Sequence, residues 1–212
     1  MTRYNNDVGD FISTDKFICK TPGRLPTSYG RYSTDFRFQG GTIYNDEASD
    51  LIWIENQVSL GSNKTVMGKS RFEQWFWGKY VTEVSHYHGG NGIFTADEYQ
   101  KDCDDKGQTQ IFSGFVDLHQ NPREESAIQT IIYIAHTCMV QTSLNWTDRG
   151  ADAISLLSLS VKHSVWLYNR LLNKESGLTP LEIFTSSKYD YHDLLHFHVW
   201  GCPIFLRNDA TE

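Results

Sequence analysis

Apolar and polar positions change their period along the chain, and each change marks an element. Asp10 to Ile18 is a β-prone run that stops before the turn signal Thr21-Pro22-Gly23, which predicts a first strand. Residues 19 to 40 are rich in Gly, Pro, Ser, Tyr and Arg and read as a long loop. Thr42 to Asn45 and Leu51 to Asn56 then form a predicted hairpin around Glu47 to Ser49. Leu51, Ile52, Trp53 and Ile54 are apolar in succession, so the second arm should be buried on both faces. After Ser62 and Asn63 the period lengthens: Val66, Phe72, Trp75 and Phe76 lie on one helical face. Val81 to His88 reads as a fourth strand.

Thr95 with Glu98 three positions on predicts a helix opened by a capping box, and Gly107 is its natural stop. Gln108 to Phe112 suits a fifth strand. Asn121-Pro122 predicts another helix start, a capping side chain followed by a residue whose missing amide proton is not needed there. Its apolar stripe runs through Ala127, Ile131, Ile134 or Ala135, and Cys138. A further helix carries Ala153, Leu157, Val161, Val165 and Tyr168. Strands followed by alternating helices and strands predict an α/β fold on one mixed sheet. The pattern places one domain over residues 10–206, with a linker at 1–9 and a tail at 207–212.

Composition narrows the class. The 212 residues are 39% hydrophobic and 21% charged, enough for one domain with a sizeable core. No run reaches the eighteen or so apolar residues a membrane span needs, and Met1 to Asp10 lacks the apolar stretch of a secretory signal. Cys19, Cys103, Cys138 and Cys202 are widely spaced with no C-x-x-C pair and read as reduced thiols of an intracellular protein, nuclear or cytoplasmic. The net charge of −7 opposes encounter with a polyanion, so any contact with DNA has to come from a local basic patch.

Three positions stand out as candidate chemistry. Asp15 lies in the first strand, Glu125 lies in the first turn of the helix after Asn121, and His88-Gly89-Gly90-Asn91-Gly92 leaves the end of the fourth strand. Enzymes that cut or join phosphodiesters need carboxylates from separate elements converging on divalent ions, which activate the nucleophile and stabilise the leaving oxygen. Hard oxygen ligands of this kind suit Mg²⁺.

Across roughly Gly9 to Leu206 the chain resembles the catalytic core of copia-type retrotransposon integrases, within the RNase H-like superfamily. Ser13-Thr14-Asp15 is similar to the family's first-strand Asp motif. His88-Gly89-Gly90-Asn91-Gly92 resembles its His-x-Asp-Asn-Gly motif, and His119-Gln120-Asn121-Pro122-Arg123-Glu124-Glu125-Ser126 resembles its Gln-Asn-Gly-x-x-Glu-Arg motif. The last two positions are 125 − 90 = 35 residues apart, close to the family's spacing. Trp166-Leu167-Tyr168-Asn169-Arg170, Leu178-Thr179-Pro180-Leu181-Glu182 and Val199-Trp200-Gly201-Cys202-Pro203 are similar to its late motifs. The resemblance implies a five-stranded mixed sheet flanked by helices, Mg²⁺ held by Asp15 and Glu125, DNA as partner, DNA integration as the lineage's reaction, and a homodimer.

Departures from the family pattern carry equal weight. Gly90 occupies the family's second catalytic Asp position, Pro122 replaces a Gly, and Ser126 replaces an Arg. Loss of a metal ligand cripples two-ion catalysis, so the resemblance implies a degenerate site with weakened metal binding. Asn91 and Asp46 are the neighbours that could substitute. Two other readings stay open: a nuclease or transferase rescued by such a ligand, and a non-enzymatic DNA-binding or assembly module. His86 with His88, and His192, His196, His198 with Cys202, form no zinc spacing, and no zinc is predicted. Lys20, Arg24, Arg31 and Arg37, interleaved with Tyr29, Tyr32 and Phe36, read either as a solvated connection or as a strip that tracks a nucleic-acid backbone. Asn169 and Arg170 read as capping or pairing groups.

Overall fold

The computed structural model describes residues 7–24, 37–90, 92–112, 122–145, 156–174 and 176–202. Strands β1 (Phe11–Arg24), β2 (Arg37–Asp46) and β3 (Ile52–Gln57) lead into helix α1 (Ser62–Tyr80). Then follow β4 (His86–Gly89), α2 (Asp97–Asp105), β5 (Thr109–Phe112), α3 (Pro122–Asn145), α4 (Leu157–Tyr168) and the short α5 (Pro180–Thr185). The strands form one sheet in the order β3-β2-β1-β4-β5. β1 pairs antiparallel with β2, and β2 with β3, while β1–β4 and β4–β5 are parallel, so the sheet is mixed.

Strand alternation divides the residues between two cores. Ile12 and Tyr44 face α1 and α2 and pack with Phe72, Phe76, Tyr87 and Tyr99. Tyr44 stacks on Phe72 with centroids 4.5 Å apart. On the opposite face Phe17, Ile43, Ile52 and Ile54 pack under α3 and α4 against Ala127, Ile131, Ala135, Val161 and Val165. The predicted burial of β3 on both faces holds, and the third core position of α3 is Ala135, fully buried, while Ile134 is only half-buried. Val8 and Gly9, placed before the domain by the sequence pattern, are packed: Val8 lies against the first core, and the buried Gly9 N–H donates to Asp46 Oδ1 at 2.7 Å.

Several boundaries differ from the sequence reading. The expected loop 19–40 is partly sheet: β1 runs on to Arg24 and β2 starts at Arg37, because Gly23 and Arg24 pair with Phe38 and Arg37 after an irregularity that begins at Ile18. Such an extra stretch lets the ladder resume beyond the turn-like Thr21-Pro22-Gly23. β4 is shorter than Val81–His88, since Val81 ends α1 in the left-handed region at φ 54°. The Thr95–Glu98 capping box does not form. Thr95 Oγ1 donates backward to the Gly92 carbonyl at 2.7 Å, and α2 starts at Asp97 with Ala96 ahead of it. Asp97 and Glu98 then favour the helix start by their charge. Gly107, at φ 67°, stops α2 as expected. α3 begins at Pro122 as predicted, and its Asn121 cap lies outside the described residues.

The late motifs prove to be fasteners. Thr179 and Glu182 form a reciprocal capping box on α5, with Pro180 in its first turn. Asn169 accepts from Ile52 N–H at 2.9 Å and donates to the Ile52 carbonyl at 2.7 Å, satisfying outward groups of the edge strand. Arg170 Nε donates to Asp193 at 3.1 Å, and its guanidinium lies 4.0 Å from the Trp166 ring centroid.

Candidate active site

Asp15 sits in the middle of β1, paired with Ile43 across β2. The residues of β1 that share its face are Phe11, Ser13 and Phe17, so its carboxylate lies on the side covered by α3 and α4. Glu125, in the first turn of α3, is half-buried, and its charge acts directly on Asp15. The two candidate carboxylates, separated by 110 positions (125 − 15), are thus brought together by the packing of α3 on β1.

The pairing of β1 with β4 places the third position. Ser13 pairs with His88 and Thr14 with Gly89, where β4 ends, so Gly90 leaves the strand directly after the pair that precedes Asp15. Neighbouring strands lie about 4.8 Å apart, and residues in register point to one face. A Cβ built at Gly90 meets no atom within 4 Å, so the position is open space beside the carboxylates.

Burial raises the Asp15 acid above the ordinary carboxylate range, the Lys16 backbone N–H donated to Oδ1 at 2.7 Å opposes this, and the Glu125 charge raises it further. The neighbouring Lys16 cannot neutralise Asp15, because it points to the other face. There its ammonium donates to Gln57 Oε1 at 3.2 Å and the Leu60 carbonyl at 3.1 Å, and burial lowers it to about 8. A carboxylic acid whose folded pKa is raised favours the folded state at low pH and opposes it once ionised. Asp15→Asn keeps an acceptor for Lys16 N–H and removes the charge. Its melting temperature is therefore expected to exceed that of the wild type at pH 7 in chelator, with the gain shrinking as pH falls through the raised folded pKa and gone below about 4. Equal melting curves at both pH values would show that the Asp15 acid is not raised in the folded protein.

Other groups line the same face. Ser13 Oγ donates to Glu47 Oε1, and His88 Nδ1 lies 3.9 Å from that oxygen. Burial lowers the His88 pKa, and Glu47 opposes it. His86 Nε2 is 3.8 Å from Asp10, and its Nδ1 contacts Thr109 Oγ1. Ser13 and Glu47 escaped the sequence reading, although Ser13 lies two residues from Asp15 and so must share its face. Asp46, weighed as a substitute ligand, is excluded by geometry. It pairs with Ile12 on the opposite face and is occupied by Gly9 N–H and by Ser49 N–H at 2.9 Å. Asn91 lies outside the described residues.

The donor set does not fit a two-ion centre. Among the described residues no group of three or more His, Cys, Asp or Glu side chains is placed to hold a metal. Asp15 and Glu125 provide two carboxylates, and Gly90 provides nothing where a third would stand.

Of the basic candidates, Lys20 and Arg37 are exposed, and the Arg24 backbone pairs with Arg37 at the far end of the β1–β2 ribbon. From Asp15 to Arg24 is nine residues, a reach of up to about 30 Å along an extended strand. Arg31 lies outside the described residues.

No protein-family model matches the chain, and no curated protein matches it in sequence. Solved structures do. The HTLV-2 integrase catalytic core domain in complex with magnesium superposes with a TM-score of 0.51 at 16% identity, covering 83% of this chain and 96% of that one. The BIV integrase catalytic core gives 0.56 at 14% identity, covering 84% and 95%. A chain of the simian T-cell lymphotropic virus intasome in complex with the PP2A regulatory subunit B56 gamma gives 0.59 at 12% identity, covering 96% of this chain and 60% of that one. The protein therefore has the RNase H-like fold of retroviral integrase catalytic cores: a mixed five-stranded sheet flanked by helices. At these identities the likeness speaks for the fold.

Proposed function

We propose that this chain is an integrase catalytic-core-like domain of the copia type whose DNA-joining chemistry is impaired because Gly90 stands in place of a metal-binding Asp. One observation carries the reading. Asp15 and Glu125 come from distant elements to within electrostatic reach of each other, and the open, side-chain-free Gly90 lies just past the end of β4, the strand paired with β1. A fold alone assigns no activity; the site does, and here it is two-thirds complete.

Mg²⁺ is the ion such a site would take, held weakly by Asp15 and Glu125. DNA is the proposed partner, and its phosphates would be met by the end of the β1–β2 ribbon, at Lys20, Arg24 and Arg37, with Arg31 a further candidate outside the described residues. α3 is a poor alternative, since it has no Lys or Arg from Ser126 to Asn145. A homodimer accords with the HTLV-2 core, which is described in dimeric and trimeric forms. No described helix is long and apolar enough to cross a membrane.

The test is a cleavage and strand-transfer assay on labelled duplex DNA in Mg²⁺. The wild type is expected to give no product above the protein-free control, while duplex binding weakens steeply with salt. Metal-dependent product that disappears in Asp15→Asn would instead establish a nuclease or transferase with a substitute ligand. Absence of duplex binding would remove DNA as the partner.

A further inference from the structure

A cleft of about 790 Å³ opens at the outer edge of the sheet, on β3 and away from the carboxylates of β1. Its walls are the C-terminal ends of α1 and α4 and the segment from α5 to Asp190. Three lysines from three separate elements meet there: Lys79 on α1, Lys162 on α4, and Lys188 after α5. All three are exposed, and among the described residues none forms an ion pair. Arg170 adds a fourth cation, held in place by Asp193, and among the described residues Asp190 is the one acid in the lining. So cationic a lining runs against the chain's net charge of −7. Between the lysines the floor is made by the buried Leu51, Ile54 and Phe184, with Leu181 half-exposed above them.

We propose that this cleft binds an acidic, extended peptide segment of a partner protein, whose carboxylates pair with Lys79, Lys162 and Lys188 while an apolar side chain rests on Leu181. Charge complementarity selects the ligand. Asn169 already occupies the outward N–H and carbonyl of Ile52, so recognition there runs through side chains and not through strand addition. A single-stranded nucleic acid fits less well because it needs open ring faces to stack on. The Trp166 ring is already stacked parallel to Phe197, 5.2 Å between centroids, and lies against Arg170. Trp75 and Trp53 pack on each other at 6.1 Å and on Phe72.

The experiment is fluorescence anisotropy with the whole chain and a labelled seven-residue peptide alternating Glu and Leu. Its Gln-for-Glu counterpart and an oligothymidylate serve as competitors in kind. The Glu peptide is expected to bind, and to weaken by about tenfold when Lys79, Lys162 and Lys188 are replaced together by Gln, at roughly twofold per exposed ion pair. The triple variant should melt like the wild type, because the three side chains are exposed. The proposal is overturned by no binding, by equal binding of the Gln peptide, or by an unaffected triple variant. Tighter binding of oligothymidylate, or lysine-dependent self-association by light scattering, would overturn it in favour of a nucleic acid or a second copy.

Discussion

Gly90→Asp is expected to tighten the weak Mg²⁺ binding of the wild type by at least roughly 10- to 100-fold, the range that even outer-shell partners of a metal site command. The geometry leaves room for it. Position 90 directly follows Gly89, which pairs with the Thr14 next to Asp15, its φ lies outside the left-handed region, and nothing stands within 4 Å of the added Cβ. The new carboxylate would join Asp15 and Glu125, which already repel each other. Without metal the variant should therefore melt below the wild type in chelator, and excess Mg²⁺ should more than restore it, since an ion that binds only the folded state stabilises it. Calorimetric titration and melting curves in chelator and in Mg²⁺ read both effects. DNA cleavage or joining by the variant alone would complete the case. The idea of a missing ligand at Gly90 fails if wild type and variant take up Mg²⁺ equally, or if the variant gains affinity that survives Asp15→Asn.

Lys69→Met should destabilise the fold by about 3 kcal/mol, the lower end of what removing one partner of a buried ion pair costs. For a chain of this size that is a fall in Tm of roughly 6–12 °C. Lys69 is fully buried on α1, where its ammonium meets Asp102 at 2.6 Å, Gln108 at 2.6 Å and Glu73 at 2.9 Å. Tyr87, whose hydroxyl donates to Glu73 at 3.0 Å, closes the cluster. Lys106 reaches Glu73 at 2.7 Å and Asp102 at 3.0 Å from the exposed side, which is why the lower end applies. Burial alone would raise Asp102 and Glu73, but the two lysines outweigh it and hold both below the usual carboxylate range. A lowered carboxylate lends stability that is present above its unfolded pKa and lost as pH falls through the folded one. The wild type should therefore lose this contribution below about pH 4, and the variant should show a shallower loss there. A drop in Tm under about 2 °C would mean that Lys69 is only a packed aliphatic stem. The double variant Lys69→Met with Asp102→Leu separates the two cases, because replacing both partners relieves an uncompensated charge but not a packing defect.

Lys69 also shows where sequence reasoning stopped short. Thr65, Lys69, Phe72 and Phe76 lie on one stripe at helical spacing, so a lysine was already visible on the buried face. What the pattern could not supply was its partners, since Asp102 and Gln108 lie 33 and 39 residues away on separate elements. The Thr95–Glu98 pair failed for a related reason. The motif was correct in type, but the chain before it turned so that Thr95 bonds Gly92 instead. The Thr179–Glu182 box, with the same spacing, did form, because Pro180 preset the first helical position. The long β1 was hidden by its Pro and Gly, whose turn tendency the β2 ladder overrode.

Local order was legible from residue types: five strands, the start of α3 at Pro122, the stop at Gly107 and the two-sided burial of β3 follow from periodicity and backbone chemistry. Those are short-range effects, set within a few residues by sterics and hydrogen bonding. The motif order also singled out Asp15, Gly90 and Glu125 before any coordinates. Only the tertiary structure decided that Asp15 and Glu125 share a face, that Gly90 stands beside them, and that Asp46 points away. The packing of α3 on β1 determines the first and strand register the other two, and register depends on which strands pair across long loops. A shift of one residue would turn every side chain of β1 to the other face of the sheet.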